Sequence, residues 1–441
     1  MGIQNFPASL VPIIQQGFLE REFREPLTSK LGYRMIADRE EFAIGIGETL
    51  TKTRTGLKAS ATTPLAPSTN TNLDNGLTPS GWSVEQYTLT INQYGDTQDL
   101  NMVTSRVGLA NQFLVNAKVN GEQAARTLDE LARNALFSVY LGGNTRVRTT
   151  LGANGPTIAV DDVRGFKTAF LNGVSAAVSG GNTLAVTVGS NVYALSGFTT
   201  DGTNASTALA AGGQSGTLTF TTSVTVADGT AGNAVQGGIA PSVIRPSGRL
   251  STGALLGTDV LTMSSLLDAV AQLRSNAVPT VNGAYNCYVD PTSVRELFAD
   301  QDFQRLFQGA TTSNAVFRNG VVSDMLGLRF ITTTEAYIQA HPSLAGVKVH
   351  RPIICGQGAL IEGDFAGMAS SDIAPTDSIV SQQDGVVMVT REPLDRLQQI
   401  IAQSWYWIGG FTAPSDTTAN STTISTANNA AYKRAVVLEH V

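Results

Sequence analysis

The sequence predicts an α+β fold that carries a small, separate all-β insertion. One segment, 112–141, has the apolar spacing of a long amphipathic helix, and several shorter segments alternate apolar and polar residues as strands do. A third stretch is almost free of charge, since between Thr168 and Val243 only Asp201 and Asp228 are charged. With 441 residues, of which 42% are hydrophobic, the chain has material for more than one buried core.

The long helix is predicted from one stripe of apolar residues at spacings of three, four and seven, namely Leu109, Phe113, Ala117, Ala124, Leu128, Leu131, Ala135 and Val139. Charged residues four apart predict an exposed face, and these are Glu122, Arg126 and Glu130, together with Asp129 and Arg133. Gly142 and Gly143 supply a left-handed end to the helix. The segment contains no histidine or cysteine, so a supporting role is predicted for it.

A long polar segment lies between two predicted strands, "EFAIGIGETL" and "WSVEQYTLTINQY". It runs from Thr51 to Ser80 and is rich in Thr, Pro, Asn and Ser. A structureless loop of this length is uncommon inside a compact domain, and an isolated two-stranded hairpin is marginally stable in water. We therefore expect a projecting element that a neighbouring molecule orders. A disordered surface loop is the alternative.

The charge-poor insertion shows strand alternation in "NTLAVTVGSNVYAL" and "GTLTFTTSVTVADG", which favours an all-β module over low-complexity disorder. Mixed structure returns after it. "LTMSSLLDAVAQLRS" predicts a helix, and Asp290 and Pro291 predict the N-cap and first residue of another. "GVVSDMLGLRFITTT" is interpreted as a helical turn, Gly327 and a strand, and "KRAVVLEHV" as the last strand.

Composition excludes several classes of protein. The chain has 29 Lys and Arg against 35 Asp and Glu, for a net charge of −6, which is not the basic footprint of a protein that wraps nucleic acid. Charged residues make up 15%, below the roughly 25% usual in soluble domains, and this favours a surface that other copies cover. No secretory signal and no membrane-spanning run are predicted.

Candidate catalytic and metal-binding residues are sparse. His341, His350 and His440 are not in a ligand spacing, and each is interpreted as a surface or packed histidine. Cys287 and Cys355 are predicted to be buried, reduced thiols. "GGQSG" at 212–216 lacks the spacing of a hydrolase elbow, and "GQGALIEG" from Gly356 lacks that of a dinucleotide loop. The sequence therefore predicts no catalytic site, no cofactor and no metal.

Taken in order, the elements resemble the major capsid proteins of tailed double-stranded-DNA bacteriophages, which have the Hong-Kong-97-type fold. The resemblance rests on "NFPASLVPIIQQGFLEREFREPL" with "GETLTKTRTGL", on "YTLTINQYGDTQDLNMVTSRVGL" followed by "VNGEQAARTLDELARNALF", on "DDVRGFKTAFLNGV" with "IRPSGRLSTG", on "GVVSDMLGLRFITTTEA", and on "REPLDRLQQIIAQSWYWIGGF". These stretches span most of the chain, and their order carries the resemblance because no single motif is as specific as a metal site.

The resemblance implies a division into named parts. These are an N-terminal arm (1–50), an extended loop (51–83), a peripheral domain (84–162) with a spine helix (112–141), the inserted all-β domain (163–245), an axial domain (246–385), and returning strands of the peripheral domain with a C-terminal strand (386–441). Because no coiled-coil segment precedes the arm, a separate scaffolding protein is favoured over an internal one.

The same resemblance implies a structural protein without enzymatic activity, self-assembled as hexamers and pentamers into an icosahedral shell around packaged double-stranded DNA. The DNA would be held without sequence-specific contact, no membrane would be involved, and assembly would occur in the host bacterial cytoplasm before the protein resides in the virion. Portal and scaffolding proteins are implied as partners, and a cementing or decoration protein as a further one. Candidate assembly-interface residues are Lys52, Arg54, Lys58, Trp82, Glu122, Arg126, Glu130, Arg391 and Arg396.

Three alternatives remain open at the level of sequence. An encapsulin-like nanocompartment shell would enclose protein cargo in place of DNA. A β-rich surface adhesin would account for the Thr- and Gly-rich insertion but would require a signal peptide. A cytoplasmic enzyme would require clustered acid and base groups in a deep pocket.

Overall fold

The computed structural model describes residues 32–42, 48–55, 58, 60, 62, 84–101, 112–171, 174–203, 214–308, 324–341, 344–365, 379–391, 399–414 and 432–441. They belong to two compact units, each drawn from separate stretches of the chain. Unit 1 draws on Met1–Leu50, Thr88–Arg133 and Leu360–Thr412. Unit 2 draws on Thr51–Tyr87, Asn134–Ala359 and Ala413–Val441.

Helices and strands are both present, as the predicted α+β class requires. In the described ranges the α-helices are α1 (Gln112–Tyr140), α2 (Met263–Ser275), α3 (Pro291–Ala299) and α4 (Gln301–Gln308). The first twelve strands are β1 (Ala37–Phe42), β2 (Thr49–Thr55), β3 (Val84–Thr90), β4 (Asn92–Asn101), β5 (Asn144–Arg146), β6 (Gly155–Val160), β7 (Thr168–Leu171), β8 (Val174–Ala177), β9 (Leu184–Val188), β10 (Asn191–Thr200), β11 (Gly216–Val224) and β12 (Ala234–Gly237). The others are β13 (Val243–Ile244), β14 (Tyr285–Val289), β15 (Asp324–Met325), β16 (Leu328–Thr332), β17 (Ile338–Ala340), β18 (Lys348–His350), β19 (Ile353–Cys355), β20 (Leu360–Phe365), β21 (Ile379–Gln383), β22 (Val386–Arg391), β23 (Ile400–Thr412) and β24 (Ala435–Leu438).

Unit 1 is built on a sheet with the strand order β1-β20-β23-β22-β21, and β4 also pairs with β23. β1 is parallel to β20, whereas β23 is antiparallel to β20, β22 and β4. Within the predicted arm, therefore, the stretch from Tyr33 to Phe42 consists of a short 3-10 helix and a strand of this sheet.

The first half of α1 packs against this sheet through small residues. Ala117, Ala124, Ala125 and Leu128 are buried against Val386, Met388, Trp405 and Trp407. Alanines let a helix approach a sheet closely, and the alternation along β23 buries every second side chain from Gln403 to Trp407. Beyond Leu131 the predicted stripe is not the buried one, because the buried residues there are Ala132, Leu136, Phe137 and Tyr140.

The end of α1 depends on two glycines that approach each other closely. Gly143 has a φ of 78°, which places it in the left-handed region, and its N–H donates to the carbonyl oxygen of Arg164 at 2.8 Å. Gly165 has a φ of 79°, and a Cβ there would lie 2.1 Å from the nitrogen of Gly143. Any larger residue at position 165 would therefore separate the helix end from the strands that follow.

Unit 2 contains the inserted β module, whose sheet has the order β5-β12-β9-β10-β11-β6. Its core is aliphatic and aromatic, with Val186, Leu195, Leu218 and Phe220 among the buried residues. The sheet begins at β5, directly after α1, and so starts well before the predicted boundary at 163. β5 is polar at the sequence level and β6 begins with Gly and Pro, and their pairing with later strands is what includes them in the sheet.

A second sheet of unit 2 has the order β13-β24-β19-β14-β16-β15, and α2 packs on it. The C-terminal strand β24 lies inside this sheet, between β13 and β19. Residues 320–323 of the predicted helical turn lie outside the described residues, and its described part is instead a tight hairpin between β15 and β16, with φ of 57° at Leu326 and 80° at Gly327. Two central residues with positive φ are the signature of a type I′ hairpin turn, which the sequence analysis did not consider.

β2 and β3 form a two-stranded ribbon that joins no other sheet within the described part of the chain. Tyr87 and Leu89 of β3 are buried. β2, by contrast, alternates between exposed and half-buried residues and buries none of its seven side chains. None of the helices in the described ranges is long and apolar enough to cross a membrane.

The packing of α1 predicts a large difference between two truncations on the same helix. Leu128→Ala removes a fully buried side chain and should cost about 2–5 kcal/mol, while Val119→Ala, at a position 44% exposed, should change stability by less than about 0.5 kcal/mol. Urea unfolding followed by tryptophan fluorescence measures both, because Trp405 and Trp407 contact this face of α1. Equal midpoints for the two variants would contradict the packing described.

Candidate assembly surfaces and buried ionic centres

Two of the basic residues predicted for the assembly interface lie on one strand of the ribbon. Lys52 and Arg54 are half-buried positions of β2, two residues apart and therefore on the same face. Lys58 is exposed in an isolated bridge. The structure thus places Lys52 and Arg54 side by side on a strand whose own side chains are not buried.

The charged residues predicted on α1 lie on its outer face. Glu122 is half-buried, while Arg126 and Glu130 are exposed. Glu130 also pairs with Arg133, with Nη2 to Oε1 at 3.0 Å. Arg133 is 13% exposed and Glu130 57% exposed at their side chains, and a pair three residues apart on a helix stabilises it by only a few tenths of a kcal/mol.

Asp129 is not part of that exposed face, and its prediction as an exposed charge was wrong. It is 1% exposed, and its Oδ1 accepts from the backbone N–H groups of Gly32, Tyr33 and Arg34 at 2.9, 2.6 and 3.3 Å. The first N–H groups of a helix have no partner within the helix. A carboxylate that accepts from them stabilises the helix, and these bonds replace those that the carboxylate would make to water. Asp129 therefore fixes the beginning of the described N-terminal segment onto α1.

Arg34 continues this attachment through a buried ion pair. Its guanidinium bonds both oxygens of Glu362 at 2.5–3.1 Å, and its Nη1 reaches Oδ2 of Asp384 at 3.1 Å. Arg34 and Glu362 are 3% and 1% exposed at their side chains. Arg39, which is partly exposed, also pairs with Asp384. Because a buried charge without its partner is costly, this network fixes the N-terminal segment to β20 and to the turn before β22.

The side chains of the remaining predicted interface residues lie outside the described part of the structure. Trp82 and Arg396 lie outside the described residues, and Arg391 is the last residue of β22, with its side chain outside the description. Their role stays a prediction.

In unit 2, a second buried ionic centre forms around Glu439, next to the end of β24. Its carboxylate accepts from Nε of Arg245 at 2.6 Å, from Nε of Arg351 at 2.7 Å and from the hydroxyl of Thr252 at 3.0 Å. Burial of Glu439 opposes ionisation, but the two guanidinium groups outweigh it and lower its pKa to about 2. The centre ties the C-terminal residues to the segments that follow the insertion and β18.

Two histidines form a neighbouring polar cluster. The rings of His350 and His440 stack with centroids 5.4 Å apart. His350 Nδ1 lies 2.9 Å from a carboxylate oxygen of Asp290, and His440 Nδ1 lies 2.9 Å from one of Glu296. Burial again opposes ionisation of both carboxyl groups, yet the histidine contacts and hydrogen bonds lower the pKa of each. All three histidines are packed, as the sequence analysis expects.

Ser293, His440 and Glu296 have the connectivity of a hydrolase triad, with Ser293 Oγ 2.8 Å from His440 Nε2. Their environment does not suit that chemistry. Ser293 and His440 are both 0% exposed, and the serine hydroxyl donates its proton to Asp290, the N-cap of α3. A substrate carbonyl could not reach the oxygen, so the group serves as a buried hydrogen-bond network.

Within the described ranges, no group of three or more His, Cys, Asp or Glu could hold a metal ion. Cys287 and Cys355 are buried and free on adjacent strands, which confirms their predicted state, and burial raises the pKa of both thiols. In the "GGQSG" motif, Ser215 is buried and donates to Asp201 at 2.7 Å. That serine is therefore a structural residue of the inserted module.

The buried centres were missed by sequence reasoning, although one signal was available. Asp290 is the predicted N-cap of α3, and Ser293 and Glu296 follow it by three and six residues. This spacing places the three side chains on one side of the helix. Their histidine partners, by contrast, come from segments about 60 and 150 residues away, and only the folded sheet brings them together.

Comparison with known proteins gives one kind of match. No protein-family model and no curated protein matches the chain. Solved structures do match. The capsid of Ralstonia phage GP4 is 12% identical, covers 92% of this chain and 87% of its own, and has a TM-score of 0.47. The capsid of cyanophage P-SCSP1u is 10% identical, with coverages of 93% and 89% and a TM-score of 0.46. The capsid of cyanophage Pam1 is 8% identical, with coverages of 94% and 91% and a TM-score of 0.47. All three are bacteriophage capsids, and the similarity extends over most of each chain.

The Glu439 centre predicts a strong asymmetry between two neutralising substitutions. Glu439→Gln leaves Arg245 and Arg351 buried without their carboxylate and should destabilise the protein by about 3–5 kcal/mol. Asp302→Asn breaks a pair whose side chains are 72% and 71% exposed and should have little effect. Thermal unfolding followed by circular dichroism measures both. A Glu439→Gln variant as stable as Asp302→Asn would refute the structural role of this centre.

The lowered carboxyl pKa values predict a direction for the pH dependence of stability. A carboxyl group whose pKa is lower in the folded than in the unfolded state stabilises the folded protein. This contribution is complete above the pKa of the unfolded state and is lost as the pH falls to the pKa of the folded state. For Glu439 the loss runs from pH 4.5 down to about 2. The Tm should therefore fall steeply on acidification in this window, and less steeply in Glu439→Gln. Identical slopes would show that Glu439 does not carry the effect.

Proposed function

We propose that this chain is the major capsid subunit of a tailed bacteriophage, many copies of which form a closed shell around double-stranded DNA. The observation that carries the proposal is the ribbon of β2 and β3. β2 buries none of its seven side chains, and the ribbon joins no larger sheet in the described part of the chain. Because a two-stranded ribbon is marginally stable alone, its open strand needs cover from another molecule.

The chemistry of β2 indicates what that cover is. Lys52 and Arg54 share one face of the strand, and the chain carries an excess of acidic residues, with a net charge of −6. A second copy of the same chain therefore offers acidic side chains, and among the exposed charges of α1 is the acidic Glu130. Contacts between different faces of identical copies generate rings and closed shells when the rotation between copies closes.

Many weak contacts of this kind suffice for a stable shell. A copy held at several points gains from the high effective concentration of each remaining contact. Inside the subunit, the buried ion pairs of Arg34 and Glu439 fix segments near the two ends of the chain. A shell requires such segments to have the same position in every copy. This supports a structural role without enzymatic activity.

The finer arrangement is also part of the proposal. Hexamers and pentamers would form the shell, and portal and scaffolding proteins would take part in assembly in the bacterial cytoplasm. The inserted sheet, with its charge-poor strands, would receive any decoration protein. The acidic balance of the chain disfavours tight binding to DNA, so packaged DNA would be confined without sequence-specific contact.

A nanocompartment shell remains the second candidate, because the ribbon argument applies to any closed shell built from this chain. The contents of purified particles separate the two. Nuclease-protected DNA supports a capsid, and protein cargo in particles without DNA would overturn that reading.

The ribbon predicts an effect of charge reversal on assembly. The double variant Lys52→Glu, Arg54→Glu places like charges at the contact, which costs several kcal/mol, and should lower the yield of closed particles at least about tenfold. The matched control is Lys348→Glu, Arg305→Glu, which makes the same change of net charge at exposed positions outside the ribbon.

Electron microscopy and sedimentation of the purified variants give the particle yield, and circular dichroism verifies that the subunits are folded. Folded subunits that fail to assemble only in the ribbon variant are the expected result. Equal particle yields from both double variants would contradict the proposed contact.

A further inference from the structure

A small cavity in unit 2 lies where several segments of that unit converge. Its volume is about 30 Å³, and it is bounded by the residues after α1, the end of β6, β17, and the residues that follow β18 and β24. The polar lining residues used below are Arg146, Asp161, Asp162, Gln339, Arg351 and Glu439.

Most of this polar lining already has a partner. Arg146 pairs with Asp161, and Asp162 accepts from Arg164 at 2.7 Å. Glu439 is held by Arg351 Nε. These bonds use the carboxylates, and the Arg351 guanidinium also lies over the Tyr337 ring, with Cζ 4.7 Å from the ring centroid.

Two buried polar atoms in the lining have no hydrogen-bond partner among the described residues. They are Oε1 of Gln339, an acceptor, and Nη1 of Arg351, a donor. Gln339 and Arg351 are 6% and 4% exposed. A buried polar atom without a partner costs free energy of desolvation, so such atoms in a native protein are usually satisfied by an ordered group.

The chemistry of the lining limits what that group is. An anion would face the carboxylates of Asp161, Asp162 and Glu439, and a cation would face two guanidinium groups. Gln339 Oε1 requires a hydrogen-bond donor and Arg351 Nη1 requires an acceptor. A neutral molecule with a hydroxyl group, such as water, supplies both. A cavity of this kind needs roughly 10–15 Å³ for each water, so the volume suits about two.

We propose that this cavity is a binding site for about two ordered water molecules, which bridge Gln339 Oε1 to Arg351 Nη1. The waters connect β17 to the ion pair between Arg351 and Glu439, and through it to the C-terminal residues. The waters are part of the internal structure of unit 2, and they add hydrogen bonds to the Arg351 side of the Glu439 centre.

The site is tested first by density. A map of the assembled or dissociated protein, at a resolution that shows ordered waters, should contain peaks within hydrogen-bond distance of both atoms. An empty cavity, a cavity filled by protein atoms, or a peak coordinated only by carboxylates as an adventitious ion would overturn the proposal.

A substitution gives an independent test, because its effect changes sign with the state of the cavity. Gln339→Met keeps the length of the side chain and removes its acceptor. If waters bridge the site, they and Arg351 lose a partner, and the Tm should fall by about 3 °C. If the cavity is dry, the same change removes an unsatisfied buried oxygen, and the Tm should stay the same or rise.

The matched control is Gln236→Met, at an exposed strand position of the same unit. It should leave the Tm unchanged. A Gln339→Met variant whose Tm equals or exceeds that of the control would overturn the proposed water site, and this outcome is independent of whether the protein forms shells.

Discussion

The lack of cover on β2 is the constraint on which the functional account depends. Every other long strand of the described chain has a buried face or lies within a larger sheet, whereas β2 pairs with one strand and buries no side chain. The hydrophobic effect cannot hold such a strand in place, because it contributes in proportion to the apolar area removed from water. Among the described residues no other strand extends its backbone edge, and the proposed self-assembly rests on this feature.

The rest of the subunit is organised around buried carboxylates with several donors each. Asp129 accepts three backbone N–H groups, Glu362 receives the Arg34 guanidinium, and Glu439 is held by two arginines. Buried ion pairs add little net stability, since desolvation offsets their attraction, but breaking one is costly. They therefore act as specific attachments. In each unit they fix a segment that lies far along the chain from its partner.

How much could be predicted from sequence depended on whether the signal was local. The described helix α1 and its end before Gly142 follow from apolar spacing and from the double glycine, and both signals are visible within thirty residues. The helix α3 was equally accessible, because Asp290 and Pro291 form its N-cap and first turn. In these places the local physics and the fold agree.

Prediction failed where distant segments decide the outcome. Asp129 has the spacing of an exposed charge, but residues 32–34 bring their N–H groups to it. β5 and β6 carry no strong strand pattern, and β11 and β12 recruit them into the inserted sheet. The histidine and Glu439 centres combine residues that are far apart in the sequence. A single sequence contains no signal that such residues are in contact.

The most direct measurement of the central claim is amide hydrogen exchange along Thr49–Thr55, compared between dissociated subunits and purified particles. Our account predicts rapid exchange in the lone subunit and at least tenfold slower exchange in the particle, because in the proposed shell a neighbouring copy covers this strand. Equally slow exchange in both states would show that the subunit protects the strand by itself, and the argument for assembly through the ribbon would then be wrong.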